Sequence, residues 1–159
     1  MSKTATSLLW LLALLYGISV GAGLYEARVM VPVWMATSPE SWINTGTRFW
    51  MFVTTGPLTL TILASPWFAW RSPAPVRAWW LAALGIAAVE RAVTFAYFIP
   101  TMASLQGQPV ADPAAAVAIL ETWSMLNHGR HLLSIGACLL AMKALSFSGR
   151  PPQPKRRLR

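Results

Sequence analysis

The chain is poor in charge. Only 11% of its 159 residues are Asp, Glu, Lys or Arg, against about 25% in an ordinary soluble domain. With 55% hydrophobic residues and a mean hydropathy of +0.49, that deficit excludes a disordered chain and argues against a water-soluble globule. A single cysteine, Cys138, excludes an intramolecular disulfide, a CxxC redox pair and a cysteine-cluster metal site. Acids are scarcest of all, five against thirteen Lys and Arg, and no internal repeat is present. The resulting +8 admits nucleic acid, anionic lipid or membrane orientation as its cause, and its distribution decides among them.

What is present is four apolar stretches, 7–33, 49–70, 76–100 and 114–145, each near the ~20 residues that cross a bilayer. Short polar marks separate them. Ser38-Pro39-Glu40 reads as the start of a short interfacial helix, Ser72-Pro73 as a break, and Asp112-Pro113 as a helix cap. Gly149 and the prolines at 151, 152 and 154 end the last stretch. The sequence thus predicts an all-α, four-helix transmembrane domain over 1–149 and a disordered basic tail over 150–159. A cleavable signal peptide is the rival reading of the first stretch, with Ser19 and Gly21 near a cleavage point. The apolar run continues through Leu24, Val29 and Val31, which favours an uncleaved helix.

Basic residues set the expected orientation. Lys3, Arg71, Arg77, Lys143, Arg150, Lys155, Arg156, Arg157 and Arg159 fall on one side of four spans, and Arg48 on the other with Glu40 and Asp112. The positive-inside rule then places both termini in the cytoplasm, in a cytoplasmic (inner) membrane. All nine tryptophans fall near predicted span ends, as an aromatic belt requires. The charge is therefore read as orientation. The tail is expected to touch anionic lipid and not nucleic acid.

The informative residues are ionisable groups inside the spans, each costing about 2.5–3.5 kcal/mol at mid-membrane unless paired or wetted. They are Glu26 and Arg28, then Glu90 and Arg91, then Glu121, His128, Arg130 and His131. Counting ~1.5 Å per residue from the cytoplasmic end brings Glu26, Glu90, His128 and His131 to similar depth in the outer half. Thr54 and Thr55 of the second span lie level with them. On the fourth helix, Glu121, Ser124, Asn127, His128, His131 and Cys138 share one arc, from which Arg130 points away. On the third, Glu90, Thr94, Tyr97 and Thr101 share a face, with Arg91 about 100° aside. These stripes predict an interior pocket open toward the outer face.

Three chemistries fit the layer. Glu26, Glu90, His128 and His131 are an admissible metal-ligand set, though neither an HExxH nor a repeated ExxH motif is present. The same groups can move a proton, Glu90 with His128 or His131 acting as base. Alternatively the layer is a structural network in which Glu26, Glu90 and Glu121 neutralise Arg28, Arg91 and Arg130. Arg28, Arg91, Glu121 and Arg130 are assigned to such structural pairing. Gly17-xxx-Gly21 predicts a helix contact inside the bundle, Pro57 a kink in the second helix, and Cys138 buried packing.

The run Glu121-Thr122-Trp123-Ser124-Met125-Leu126-Asn127-His128-Gly129-Arg130 carries a Trp, three residues, Asn, two residues, Arg pattern. With Gly21-Ala22-Gly23-Leu24-Tyr25-Glu26 and Pro32, Gly56-Pro57-Leu58, and Phe98-Ile99-Pro100-Thr101, it resembles the anthrone-oxygenase-like membrane family over residues 10–145. That resemblance implies a four-span bundle and, from some fungal members, oxidation of anthrones to anthraquinones without an established cofactor. It carries over to Trp123, Asn127, Arg130 and Glu26; the two histidines are not part of the pattern.

The resulting expectation is a small membrane oxidoreductase, oxygenase-like, acting on a lipophilic aromatic or quinol-type substrate. Glu90, His128 and His131 are its expected catalytic residues, and Glu26, Asn127, Trp123, Tyr97 and Thr94 its substrate contacts. No cofactor is demanded by the sequence beyond the metal option, and an oligomer is compatible with it. The competing expectations are a ligand-binding or accessory subunit without chemistry, a metal-dependent membrane enzyme, and a small proton-coupled transporter, which would need an oligomer to build its path.

Overall fold

Every regular element in the computed structural model is helical, and the residues it describes are 1–42, 46–106 and 112–149. The basic tail, from Arg150 through Lys155, Arg156, Arg157 and Arg159, lies outside them. In chain order the α-helices are α1 (Lys3–Tyr25), α2 (Val31–Met35), α3 (Thr47–Phe49), α4 (Gly56–Trp70), α5 (Ala74–Val93), α6 (Ile99–Gln106) and α7 (Pro113–Ser148). Wide π-helical turns join α1 to α2 (Glu26–Met30), α3 to α4 (Trp50–Thr55) and α5 to α6 (Thr94–Phe98). The elements thereby merge into four rods. Three of them, Lys3–Met35, Ala74–Gln106 and Pro113–Ser148, are long and apolar enough to cross a membrane. The rod over 47–70 packs beside them.

The π turns have a common cause. Each ends one residue before an X-Pro step: Val31-Pro32, Gly56-Pro57 and Ile99-Pro100. Proline has no N–H to donate, and its ring collides with the carbonyl four residues back. Widening the preceding turn relieves that collision, and the residue before proline donates five residues back: Val31 N–H to Glu26 O, Gly56 N–H to Met51 O, Ile99 N–H to Thr94 O. Gly56 has a second role. A Cβ there would stand 2.6 Å from Met51 O, so only glycine fits. The expected irregularity at Pro57 is thus a π turn. Proline alone does not suffice, since Pro66 sits inside the continuous α4.

Caps fall where polar residues supply them. Asp112 Oδ1 accepts from Ala114 N at 3.0 Å and Ala115 N at 3.1 Å, with Pro113 at the first helical position. Ser2 caps α1 through Ala5 N at 3.2 Å. The break at Ser72-Pro73 separates α4 from α5. Ser38-Pro39-Glu40 opens a single 3-10 turn, Pro39–Ser41, with no side-chain cap at its start.

The rods form a ring. α7 packs on α1 and α5, and α4 packs on the other sides of the same two helices. Small residues set the closest seams: Ala83 and Ala87 of α5, with Ala137, Ala141 and Ala144 of α7, are fully buried. Leu9, Leu12, Tyr16, Leu58 and Trp80 complete this lower core. A second apolar cluster, Val31, Trp42, Phe98, Leu105, Ala116, Leu120 and Trp123, caps the end near residues 36–42, here called the outer end. Outward-facing side chains such as Leu14, Leu60, Leu63, Leu132 and Leu139 are mostly exposed, a surface suited to hydrocarbon rather than water. Gly17 and Gly21 belong to that surface. Both are exposed and nothing lies within 4 Å of a Cβ added to either, so the GxxxG motif faces outward and not into the bundle.

Candidate functional site

Between the two apolar clusters lies a polar layer, and α7 organises it. The buried positions of α7 include Leu120, Trp123, Asn127, Arg130, Ser134 and Ala137, a stripe of alternating three- and four-residue steps, with His131 buried beside it. The Trp, Asn and Arg of the pattern are consecutive members of that stripe. Trp123 donates its indole N–H to Phe98 O at 3.1 Å, a carbonyl of the third rod's π turn. Asn127 then bridges two charges, donating to Glu26 Oε2 at 3.3 Å and accepting from Arg130 Nε at 2.7 Å. Arg130 reaches on to Glu90 Oε1 at 3.4 Å and to His131 Nε2 at 3.3 Å.

This arrangement corrects the helical-phase expectation for Arg130. Its guanidinium is buried at the centre of the layer and does not point away from it. An inward line drawn through the polar residues of α7 is displaced by one position from the line its small and apolar residues follow. The displaced line wrongly favoured Glu121 and His128. Both are exposed, and His128 donates Nδ1–H to Ser124 O at 2.7 Å on its own helix. Arg28 is exposed too, and among the described residues neither Arg28 nor Glu121 forms a salt bridge. The structural pairing expected of those two is therefore absent there.

Glu90 is fully buried and fully engaged. Arg91 grips it through two bonds, Nε to Oε2 at 2.6 Å and Nη2 to Oε1 at 2.7 Å. Thr94 Oγ1 lies 3.2 Å from Oε1, and its shorter bond is to Glu90 O at 2.7 Å. Arg91, placed aside by phase, turns inward because a buried carboxylate is its best partner. The formal charges of the buried Glu90, Arg91 and Arg130 and the half-buried Glu26 sum to zero. His131 is buried, with Nε2 only 2.6 Å from where a Cβ on Gly23 would stand. Gly23, and not Gly17 or Gly21, is thus the glycine that close packing requires.

A cavity of about 340 Å³ opens beside the layer, between the second and third rods. Glu26 and Arg130 form its polar end, and Trp50, Phe95, Phe98 and Trp123 are its aromatic walls. Thr55 and Thr94 also line it. Glu90, His128 and His131, the expected catalytic set, do not line it. Asn127 stands directly behind the wall, holding Glu26 and Arg130. Tyr97 packs into the outer cluster, edge-on to Phe98 at 5.2 Å between ring centres. Cys138 lies lower down, half-buried, its Sγ 3.8 Å from Ala13 O.

The four candidate metal ligands are not gathered. Glu90 is bound by arginines, His128 faces outward and His131 faces Gly23; among the described residues no three His, Cys, Asp or Glu side chains converge for a metal.

A family model described as anthrone oxygenase matches residues 42–140. The chain belongs to the anthrone oxygenase family. The matched stretch contains the last three rods almost entire, including the cavity walls and the Trp123, Asn127 and Arg130 stripe. Glu26 lies before it. No curated protein and no solved structure shows significant similarity to this member of the family.

Sequence reasoning missed the walls contributed by Trp50, Met51, Phe95 and Ile99. The available signal was the set of three X-Pro steps, each fixing a π turn beside the layer. Such turns are frequent at functional sites because they displace side chains and free carbonyls.

Proposed function

We propose that this anthrone oxygenase family member is a membrane oxidoreductase that oxidises a lipophilic aromatic or quinol-type molecule held in the cavity. All four rods cross a cytoplasmic membrane in this reading, with both termini on the cytoplasmic side and the basic tail against anionic lipid. The observation that carries it is the cavity's composition: aromatic walls ending in one carboxylate and one guanidinium. That is the site a flat apolar molecule with a single oxygen function requires.

Glu26 is the proton acceptor in this mechanism, in place of Glu90 and the histidines. Its carboxylate reaches the cavity, whereas the Glu90 carboxylate is saturated by arginine. Removing a proton from the substrate leaves an anion whose charge spreads onto its oxygen. Arg130, on the same wall, faces that oxygen and stabilises it. The electron-rich anion then reacts with dioxygen, the oxidant, in the apolar part of the cavity. For an anthrone the new carbon–oxygen bond becomes the second carbonyl, and the other oxygen atom leaves as water with the two hydrogens lost from that carbon. Asn127 keeps Glu26 and Arg130 in fixed relation, and Trp123 holds the π turn that shapes the wall.

Oxygen uptake by the purified protein with anthrone tests this. Glu26→Gln is expected to lower kcat by about 100-fold or more, the range of a lost general base. Undiminished turnover by that variant removes Glu26 from the mechanism. A wild-type protein that binds anthrone without consuming oxygen is instead a ligand-binding subunit. The ion-paired Glu90, Arg91 and Arg130 cluster, whose extra positive charge Glu26 balances, supports that second reading as a structural device.

A further inference from the structure

The cavity is stoppered on one side and open on another. Toward the outer end, Val31, Trp42, Leu105, Leu120 and Trp123 are buried together. The Trp42 indole N–H ties this stopper to Trp34 O at 2.8 Å. Between the second and third rods the geometry differs. There the wall residues Met51, Phe95 and Ile99 are 51%, 49% and 43% exposed, and Ala103 is exposed too. The same side chains are both cavity wall and outer surface. Phe95, Ile99 and Ala103 recur every four residues, so they form one edge running about 12 Å along the rod. Opposite them stands Met51, with Thr55 deeper. The result is a slot in the side of the molecule, apolar at its rim, with Glu26 and Arg130 at its inner end.

We infer that the ligand is loaded sideways, from the hydrocarbon that covers this surface, with its oxygen end leading. Phe95, Ile99 and Ala103 then set the width of molecule admitted. The ligand class rests on the function proposed above; the route rests on the slot itself. A flat aromatic with one oxygen concentrates in a bilayer and loses little on sliding past apolar side chains. The outer route would require unpacking Trp42 and Leu105. Orientation follows from polarity: the rim is apolar, whereas the carboxylate and guanidinium wait at the deep end.

The test uses the full chain in phosphatidylcholine–phosphatidylglycerol vesicles and hydroxypyrene, a flat lipophilic phenol. Energy transfer from tryptophan to pyrene reports its arrival, with Trp50 and Trp123 on the cavity wall. Ala103→Phe narrows the slot and is expected to slow arrival at least tenfold. Phe95→Ala widens it and is expected to speed arrival, which carries the test if the first variant fails to fold. Trp42→Ala is expected to leave the rate within twofold of wild type. An unchanged rate in both slot variants overturns the inference, as does a tenfold acceleration in Trp42→Ala. Absence of hydroxypyrene binding by the wild type overturns it as well. Glu26→Gln separates route from chemistry: slot effects that persist while Glu26→Gln still consumes oxygen leave the route standing and sink the proposed base.

Discussion

Asn127 is the most consequential neutral residue of the polar layer, and replacing it with leucine gives the sharpest test of the geometry. The two side chains share the same heavy-atom count and branching, and leucine is the bulkier, so Asn127→Leu leaves no cavity. It removes the donor to Glu26 Oε2 at 3.3 Å and the acceptor for Arg130 Nε at 2.7 Å. A hydrogen bond to a charged group contributes about 1.5–3 kcal/mol when its loss strands the partner in a buried place. The Glu26 bond is long and its carboxylate borders the cavity, which puts that loss at the lower end. Arg130 is buried and keeps the longer hydrogen bonds, 3.4 Å to Glu90 and 3.3 Å to His131, with the Phe98 ring 5.3 Å away, which puts its loss higher. Together the substitution is expected to cost about 3–4 kcal/mol, measured by reversible unfolding in mixed micelles. A cycle with Glu26→Gln isolates the bridge. Residues in one hydrogen-bond network couple by about 0.5–3 kcal/mol, whereas independent sites add within about 0.3–0.5 kcal/mol. Coupling near 1 kcal/mol is expected for this long bond. Additive losses would refute the claim that Asn127 joins Glu26 to Arg130.

Other substitutions check particular placements. Gly23→Ala drives a methyl group to 2.6 Å from the buried His131 ring, so a loss of about 1–3 kcal/mol is expected in the same unfolding assay. Gly17→Ala and Gly21→Ala meet nothing within 4 Å and are expected to be neutral or stabilising by up to about 1 kcal/mol; destabilisation would mean that GxxxG packs inside after all. His128→Ala is expected to change stability by less than about 0.5 kcal/mol, as an exposed position should. His131→Ala is expected to cost clearly more, because it empties space beside Gly23 and removes a contact of Arg130.

Much of the architecture was readable one residue at a time. Asp112-Pro113, Ser72-Pro73 and Gly149 end or begin helices through bonds within a few residues of themselves, so local chemistry predicts them. Glu26, Thr94, Asn127 and Trp123 are also legible, because a polar side chain deep in an apolar helix is stabilised by meeting other polar groups. The failures share a cause. Arg91 and Arg130 carry long side chains whose ends lie far from their Cα directions, and they go to whichever carboxylate is buried nearby. Helical phase places a Cα and says little about the end of an arginine. Polarity misplaces His128 and Glu121 by one step of the helix, about 100°, because it is not by itself the mark of the inward face.

From composition and order alone, the sequence determines a helical, apolar chain with Glu26, Glu90 and Glu121 inside its apolar stretches and most of its basic residues outside them. Those properties depend on hydropathy, caps and prolines, which act locally. Only the tertiary structure decides which carboxylate reaches the cavity. Glu90 and Glu26 are both carboxylates at similar predicted depth, and nothing in their own segments ranks them. The docking of α7 does: it brings Arg130 to Glu90, already held by Arg91, and sets Asn127 behind Glu26 at the cavity. Charge neutralisation in a dry interior depends on which helices meet, and that is a property of the assembled bundle.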